Sequence, residues 1–370
     1  MSVIYLGIGR LSKPLVTYYP MDKKRGLIYA LVTVILAVLV YAQFRTWRDF
    51  DWATFWSQTD HVRLWRILVG VGLIYLAYGM RAVRWKIFLQ PVRRDASAIG
   101  LLAPTLIGFA SLAVLGRPGE LIRPYLIARK EGLPFSSQLA VWAVERIFDV
   151  GAFTLMLILA IFFAAAPRQL GYYHSFRDGG FVLVALVMAL TFGALVISWK
   201  GELLADWVEH HLFHSAAERI ALRIREFRSG LNTIHSALAL LQLTVVSVAM
   251  WYLIALAYQA VLFAYGLPVL QLPLSQILLL MGSSMLGSLI QLPGVGGGSQ
   301  LATIAALEHV FDAPHELAAS CGILLWLVTF VAVAPLGLAL AHRERLSLRK
   351  LSKETEEAES RAIAPVPPSA

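Results

Sequence analysis

Apolar residues fall along this chain in eight blocks set apart by short charged stretches: Gly26–Phe44, Ile67–Met80, Ser97–Leu115, Val150–Ala166, Gly179–Trp199, Ser236–Gly266, Leu274–Leu292 and Leu317–Ala341. Crossing a ~30 Å hydrocarbon core takes about 20 mostly apolar helical residues. Each block is therefore a candidate membrane segment. The second is short, but its helical pattern continues through Arg81, Arg84 and Trp85, and the fourth follows a charged helical start at Glu145–Asp149. Pro268 and Pro273 divide the sixth block from the seventh.

Composition agrees with this pattern. The chain of 370 residues is 58% hydrophobic and 15% charged, against ~45–50% and ~25% in soluble domains. A soluble globular protein and a disordered one are both excluded. From Ser229 to Leu307 there is no Asp, Glu, Lys or Arg over 79 residues. Cys321 is the single cysteine, so no intramolecular disulfide is expected. The net charge of +9 points to loops facing anionic lipid on the cytoplasmic side, with no nucleic-acid partner.

Lys23-Lys24-Arg25 ahead of the first block resembles the start of a signal peptide. The apolar run is too long for the ~7–15 residues of such a peptide, so an uncleaved span is expected. Residues 1–20 match no helical period, and translation from Met21 in place of Met1 is an open alternative.

Basic residues choose between two topologies. If all eight blocks cross with the N-terminus inside, 18 Lys/Arg lie inside and 13 outside, with Arg146 set apart. If two segments are instead re-entrant hairpins, the tally is 25 inside and 6 outside, a far better positive-inside pattern. One hairpin covers about 97–130 and turns at Gly116–Gly119. The other covers about 274–312, enters from the opposite side and turns at Pro293–Gly298. Irregular backbone at membrane depth must be buried in protein or line a wet cavity. The expected fold is an all-α polytopic membrane protein with about six spanning helices and two inverted re-entrant helical hairpins. Inverted repeats with broken helices meeting near the midplane are a transporter design. The organisation reads as an N-terminal cytoplasmic segment 1–25, a transmembrane domain 26–342 and a disordered cytoplasmic tail 343–370, rich in Glu and Pro. Residues 200–230 read as a mixed-charge helix along the membrane surface, with a solvated loop helix as the alternative.

Candidate chemistry gathers at the first hairpin and the span after it. Arg117, Glu120 and Arg123 surround the turn, while Glu145 and Asp149, at i and i+4, share a helix face beside Arg146. Charge in an apolar zone faces a cavity or a partner. On one reading Arg117, Arg123 and Arg146 offer positive charge to an anionic headgroup, while Glu120, Glu145 and Asp149 orient them or exchange protons. On the other, these residues are ion pairs that only pin the hairpin. At the second turn, backbone N–H groups of Gly294, Gly296, Gly297 and Gly298, with Ser299 and Gln300 opening a short helix, could cradle phosphate; the alternative is that the glycines only permit a tight turn. The run lacks the Lys-Ser/Thr ending of a P-loop. His210, His211 and His214 lack the zinc-protease order and read as a surface cluster. Trp142, Trp251 and Trp326 read as packing or interface anchors. No catalytic set, metal constellation or cofactor motif emerges.

Several motifs then come in a telling order: Arg81-x-x-Arg84-Trp85, Gly116-Arg117-Pro118-Gly119-Glu120-x-x-Arg123, Glu145-Arg146-x-x-Asp149 and Pro293-Gly294-Val295-Gly296. Over roughly residues 25–342 the chain resembles the flippase-like transmembrane region of lysylphosphatidylglycerol synthases, found also in stand-alone bacterial membrane proteins. The resemblance implies a protein of the bacterial inner membrane that moves a phospholipid between leaflets; the hairpin topology places both termini in the cytoplasm. Full synthases carry an aminoacyl-transferase domain after this region; here 29 residues follow Ala341. The chain departs from the family where Gln300 replaces the usual Glu.

The expectation is a lipid flippase or transporter, not an enzyme, whose substrate carries an anionic phosphate. Two alternatives stand beside it. One is a membrane enzyme on a lipid-linked substrate, with Glu145 or Asp149 as general base. The other is a non-transporting partner of a lipid-modifying enzyme.

Overall fold

The computed structural model describes residues 51–60, 62–164, 171, 173–211, 220, 221, 224, 225, 228, 236–288 and 297–363; several side chains within them, including those of Arg117, Pro118 and residues 359–363, fall outside that description. The expected first span at Gly26–Phe44 and the segment 1–25 lie outside the described residues. Those described in 53–370 belong to one compact unit.

The protein is an all-helical polytopic membrane protein, with no strand among the described residues. In order come α1 (Trp52–Asp60), α2 (Leu64–Leu89), α3 (Ala98–Leu115), a 3-10 turn (Arg117–Leu121), α4 (Ile122–Glu131), α5 (Phe135–Phe163) and α6 (Tyr173–His211). Then follow α7 (Ala237–Ala264), α8 (Leu274–Gly287), α9 (Gly297–His309), α10 (His315–Trp326), α11 (Val333–Arg343) and α12 (Leu348–Ile363). Among the described residues, five stretches are long and apolar enough to cross a membrane: α2, α3, α5, α7 and the run from His315 to Arg343. Helices suit that solvent because every backbone donor and acceptor is satisfied within the segment.

Sequence places the helix ends. Ser97 caps α3 by accepting from the Gly100 N–H at 3.4 Å, and Ser236 caps α7 by accepting from the Ala239 N–H at 3.1 Å. Gly132, with φ +65°, ends α4 in the left-handed conformation that glycine adopts without strain. Pro335 sits within α11 and offers no N–H to the carbonyl four residues back. One turn earlier the helix widens into a π-turn over Leu327–Val331, where Ala332 N–H reaches Leu327 O at 2.8 Å. Tyr75 then donates to Ala332 O at 2.7 Å.

The helices α2 and α7 run antiparallel down the centre. Arg63 N–H donates to Ala264 O at one end, Gly70 meets Ala257 and Val261 in the middle, and Arg84 meets Ser247 at the other end. The α5 helix flanks α2, also antiparallel, through Trp85–Gln138 and Arg84–Glu145. The main core joins Ile74, Tyr78, Phe153, Tyr258, Val261, Leu262, Leu279 and Leu325.

Two helical hairpins pack on this frame. In the first, α3 runs in and the 3-10 turn with α4 runs back. Lys130 Nζ donates to Gly100 O at 2.5 Å across its mouth, Gly108 abuts Arg123 midway, and Gly119 abuts the Ser111 backbone near the turn. A Cβ on Gly119 would overlap that backbone, so the turn needs glycine there. In the second hairpin α8 and α9 meet at Gly287 and Gly298, and Ser284 Oγ donates to Ser299 O at 3.5 Å. The mouths sit at opposite ends of the α2–α7 pair: Leu101 and Ile127 pack with Leu89, whereas α8 follows the α7 end that meets Arg63.

Beyond a kink at Lys200, α6 continues to His211. Trp199, Leu203 and Trp207, spaced by four, are exposed at 78%, 68% and 55%. Arg225 meets Glu209 at 2.6 Å and Asp206 at 2.9 Å, and Arg228 meets Glu202 at 2.6 Å. The sequence assigns one helical segment to 200–230; residues 212–219 lie outside the described set.

The tail corrects an expectation. Where 343–370 is expected to be disordered, residues Leu348–Ile363 form α12. Leu351 and Thr355, at i and i+4, are buried at 2% and 1%. Leu351 joins Ile107, Ile122, Leu126 and Ala341 in a small core of its own. A single apolar stripe docked on the first hairpin thus orders a helix whose remaining faces are polar. Residues 364–370 lie outside the described set.

Candidate functional site

Six charged side chains from three helices meet at one end of the bundle. The helical register of α2 sends Arg81 and Arg84 toward α5, and α5 presents Glu145 and Asp149 one turn apart, with Arg146 alongside. The first hairpin adds Arg123 from α4. Arg84 is the hub and is fully buried. Its Nη1 donates to Asp149 Oδ1 at 2.7 Å and Ser247 Oγ at 3.0 Å, and its Nη2 to Glu145 Oε1 at 2.5 Å. Arg123 gives both terminal nitrogens to Glu145, one at 3.1 Å to Oε1 and one to Oε2. Its guanidinium carbon lies 4.5 Å from the Trp85 ring centroid and 5.0 Å from that of Phe109. Arg81 reaches Asp149 at 3.4 Å and stands 4.9 Å from the Phe109 ring. Arg146 reaches Asp149 at 3.1 Å and Glu145 at 3.5 Å.

Four guanidiniums therefore share two carboxylates. Unpaired charge away from water is expensive, so this imbalance needs a partner. Five of the six residues are 9% exposed or less, while the Arg146 side chain is 38% exposed. Arg146 is where the cluster meets its surroundings. Trp142 lies 5.9 Å from its guanidinium, and Glu120 of the hairpin turn is close enough to act on its charge. Among the described residues, the buried nitrogens Arg84 Nε and Arg146 Nε have no acceptor.

The two sequence readings thus divide by residue. Arg123 is consumed by Glu145 and its aromatic walls, as a pin of the hairpin would be. Arg146 keeps an open edge. Glu145 and Asp149 orient arginines. The structure brings Arg123, Glu145, Arg146 and Asp149 together with Glu120 beside them; the Arg117 side chain lies outside the described set. Gly294 and Gly296 also lie outside it. Gly297 and Gly298 open α9, where Gly297 has φ +64°. Ser299 offers its carbonyl to Thr303 at 2.7 Å as well as to Ser284, and Gln300 is buried at 8%. All four lie at the start of α9 on the other hairpin, where Gly298 and Ser299 meet α8.

The reading of candidate chemistry missed Arg81 and Arg84 as members of the site and counted both with a cytoplasmic loop. They lie inside the single helix Leu64–Leu89 and are buried. The available signal was their position in an apolar helical pattern with Tyr78 and Phe88 on the same side, since arginine in such a stripe needs a buried acid.

A polytopic helical membrane protein with a net-positive buried cluster beside a helical hairpin is the class that fold and site define. The family model for the lysylphosphatidylglycerol synthase TM region matches residues 27–337, and the chain belongs to that family. It is similar to a "UPF0104 membrane protein" of Methanothermobacter thermautotrophicus, 24% identical over 290 residues, which cover 74% of this chain and 82% of the relative. No solved structure matches.

Proposed function

We propose that the protein carries a lipid with an anionic phosphate headgroup across the bacterial inner membrane. The observation that supports this most is the surplus of guanidinium over carboxylate in the buried cluster, with Arg146 at its open edge. Arginine suits phosphate because its planar fork donates two parallel hydrogen bonds. In this reading both hairpins are re-entrant and form inverted halves, both termini are cytoplasmic, and the arginine cluster faces that side. The headgroup docks at Arg146 while its acyl chains remain in lipid. Transport is passive or ion-coupled.

The reading is of a transporter and not an enzyme. Glu145 and Asp149 have their oxygens engaged by Arg81, Arg84, Arg123 and Arg146, which argues against either as a general base. Reconstitution into vesicles with fluorescent phosphatidylglycerol, phosphatidic acid and phosphatidylcholine tests the proposal. Movement of the anionic lipids above protein-free vesicles is expected. No movement of any headgroup above that background would sink it. A lipid-modifying enzyme as partner would be recognised by co-purification.

A further inference from the structure

Arg63 and Arg66 stand where α2 begins, at the end of the helix away from the arginine cluster. Arg66 and Arg84 lie on the same helix, about 27 Å apart at the helical rise, close to the ~30 Å hydrocarbon core. The Arg66 guanidinium carbon lies 4.7 Å from the Trp65 ring centroid and 5.6 Å from that of Phe263 on α7. Arg63 lies over the turn after α7, where a Cβ on Gly266 would stand 3.5 Å from Arg63 Nη2. Aromatic faces and backbone thus hold both side chains, yet neither guanidinium donates to or pairs with a described residue. Asp60, three residues before Arg63, is exposed and ion-paired to neither. By contrast Arg84, Arg123, Arg225 and Arg228 are each bonded to a carboxylate. An arginine that merely anchors a span reaches for water on a free stem. Arg66 instead has its plane walled by rings and its Nε buried without an acceptor, which leaves the terminal nitrogens as its free edge.

We propose that Arg63 and Arg66 form a second phosphate site, which takes the headgroup of an anionic lipid from the leaflet opposite the cluster. Each guanidinium is a donor-only planar fork that matches phosphate oxygens, and an unpaired one calls for an anion. Soluble phosphate offers the same oxygens. The surroundings favour a lipid: Trp56 and Trp65 beside the pair are each 58% exposed, and exposed tryptophan next to a span sits at headgroup level. The helix α2 then carries an arginine site at each end, one docking point for the headgroup on either side of the membrane. As the far stop of a lipid path the site rests on the transport reading, but its occupancy can be measured without any transport.

The test is native mass spectrometry of the delipidated full chain in detergent, with phosphatidylglycerol, phosphatidylcholine or inorganic phosphate added. The unsubstituted chain is expected to retain phosphatidylglycerol under activation that strips phosphatidylcholine. Arg63→Gln combined with Arg66→Gln should retain one phosphatidylglycerol fewer. Arg63→Lys combined with Arg66→Lys keeps the anchoring charge without the fork, and should fold and lower occupancy of that lipid several-fold; this pair carries the comparison even where the Gln pair does not fold. Lipid retention unchanged in the Lys pair, or phosphatidylcholine held as firmly as phosphatidylglycerol, overturns the site. Displacement of that one lipid by inorganic phosphate overturns the headgroup as ligand and assigns a soluble anion. If the pair loses its lipid while no chain moves lipid in vesicles, the site stands and the transport reading falls. If the chains move lipid and both double variants retain as much as the unsubstituted protein, transport stands and the site falls.

Discussion

Gly108 of α3 faces Arg123 of α4 so closely that a methyl group on the glycine would stand 2.9 Å from the Arg123 Cα and overlap the side chain. The glycine lets the two arms of the first hairpin approach and delivers Arg123 to Glu145. A larger residue must move α4, and with it the arginine. Gly108→Val is expected to destabilise the protein by about 2–3 kcal/mol, in the range of overpacked cores, and to lower its melting temperature in detergent. Gly72→Val, at a glycine with open space around it, is the comparison and should melt with the unsubstituted protein.

Arg84 is the residue on which the cluster turns. Removing one partner of a buried ion pair leaves an uncompensated charge and costs about 3–5 kcal/mol. Arg84→Met removes the buried hub that hydrogen-bonds Asp149, Glu145 and Ser247 from one group, so the folded yield should fall sharply even though Arg81 and Arg146 still reach Asp149. Arg84→Lys keeps the charge but cannot reach Asp149, Glu145 and Ser247 from one planar group, and it should rescue only part of the loss. A melting temperature for Arg84→Met equal to that of the native chain would show that the cluster does not hold the fold.

Arg146 should behave in the opposite way. Its side chain is 38% exposed, and pairs at such positions contribute about 0–1 kcal/mol. Arg146→Lys and Arg146→Gln should fold with near-native melting temperatures. Loss of a charge-assisted contact to phosphate, about 1.5–3 kcal/mol, should slow transport of anionic lipid at least about tenfold in vesicles. Unchanged transport in both variants would assign Arg146 to packing and remove it from the site.

Much of this architecture could be read from the chain because the local rules agree. Ser97 and Ser236 stand one residue before their helices and cap them, and Gly116 to Gly119 marks the first turn. Glu145 and Asp149 on one α5 face pointed to the cluster from that side. Arg81 and Arg84 were harder to place, because a charge at the end of an apolar run normally marks the membrane surface. Only the antiparallel register of α2 on α5, a long-range feature, turns them inward. The roles of Arg123 and Arg146 could not be separated from sequence, since the difference lies in burial between Trp85 and Phe109 for one and an open edge for the other. The tail misled because its composition is that of a disordered segment. Its helix depends on one apolar stripe meeting a site far away in sequence.

Acid should loosen the surface strap between α6 and Arg225. Hydrogen bonding from Arg225 holds the Glu209 carboxyl below its ordinary range. A depressed folded value means the interaction contributes fully above the unfolded glutamate value of about 4.3 and is lost as pH falls through the lower, folded one. Protection of backbone amides in 200–211, corrected for intrinsic exchange rates, should therefore hold from neutral pH down to that range and drop below it. Glu209→Gln should show weakened protection already at neutral pH, and no pH response at this segment would mean that the pair carries no stability.

The stripe of Trp199, Leu203 and Trp207 should enter the leaflet. These residues repeat every four positions and are strongly exposed, while Glu202, Asp206 and Glu209 face Arg225 and Arg228. A helix with one apolar and one charged face lies in the membrane interface with its apolar side down. Nitroxide labels on Leu203→Cys and Glu202→Cys, in a Cys321→Ser background, separate the two faces. At 203 collisions should favour oxygen, which concentrates in hydrocarbon; at 202 they should favour a water-soluble nickel complex. Equal preference for the nickel complex at both positions would place this helix in solvent, with the tryptophans left to meet another protein surface.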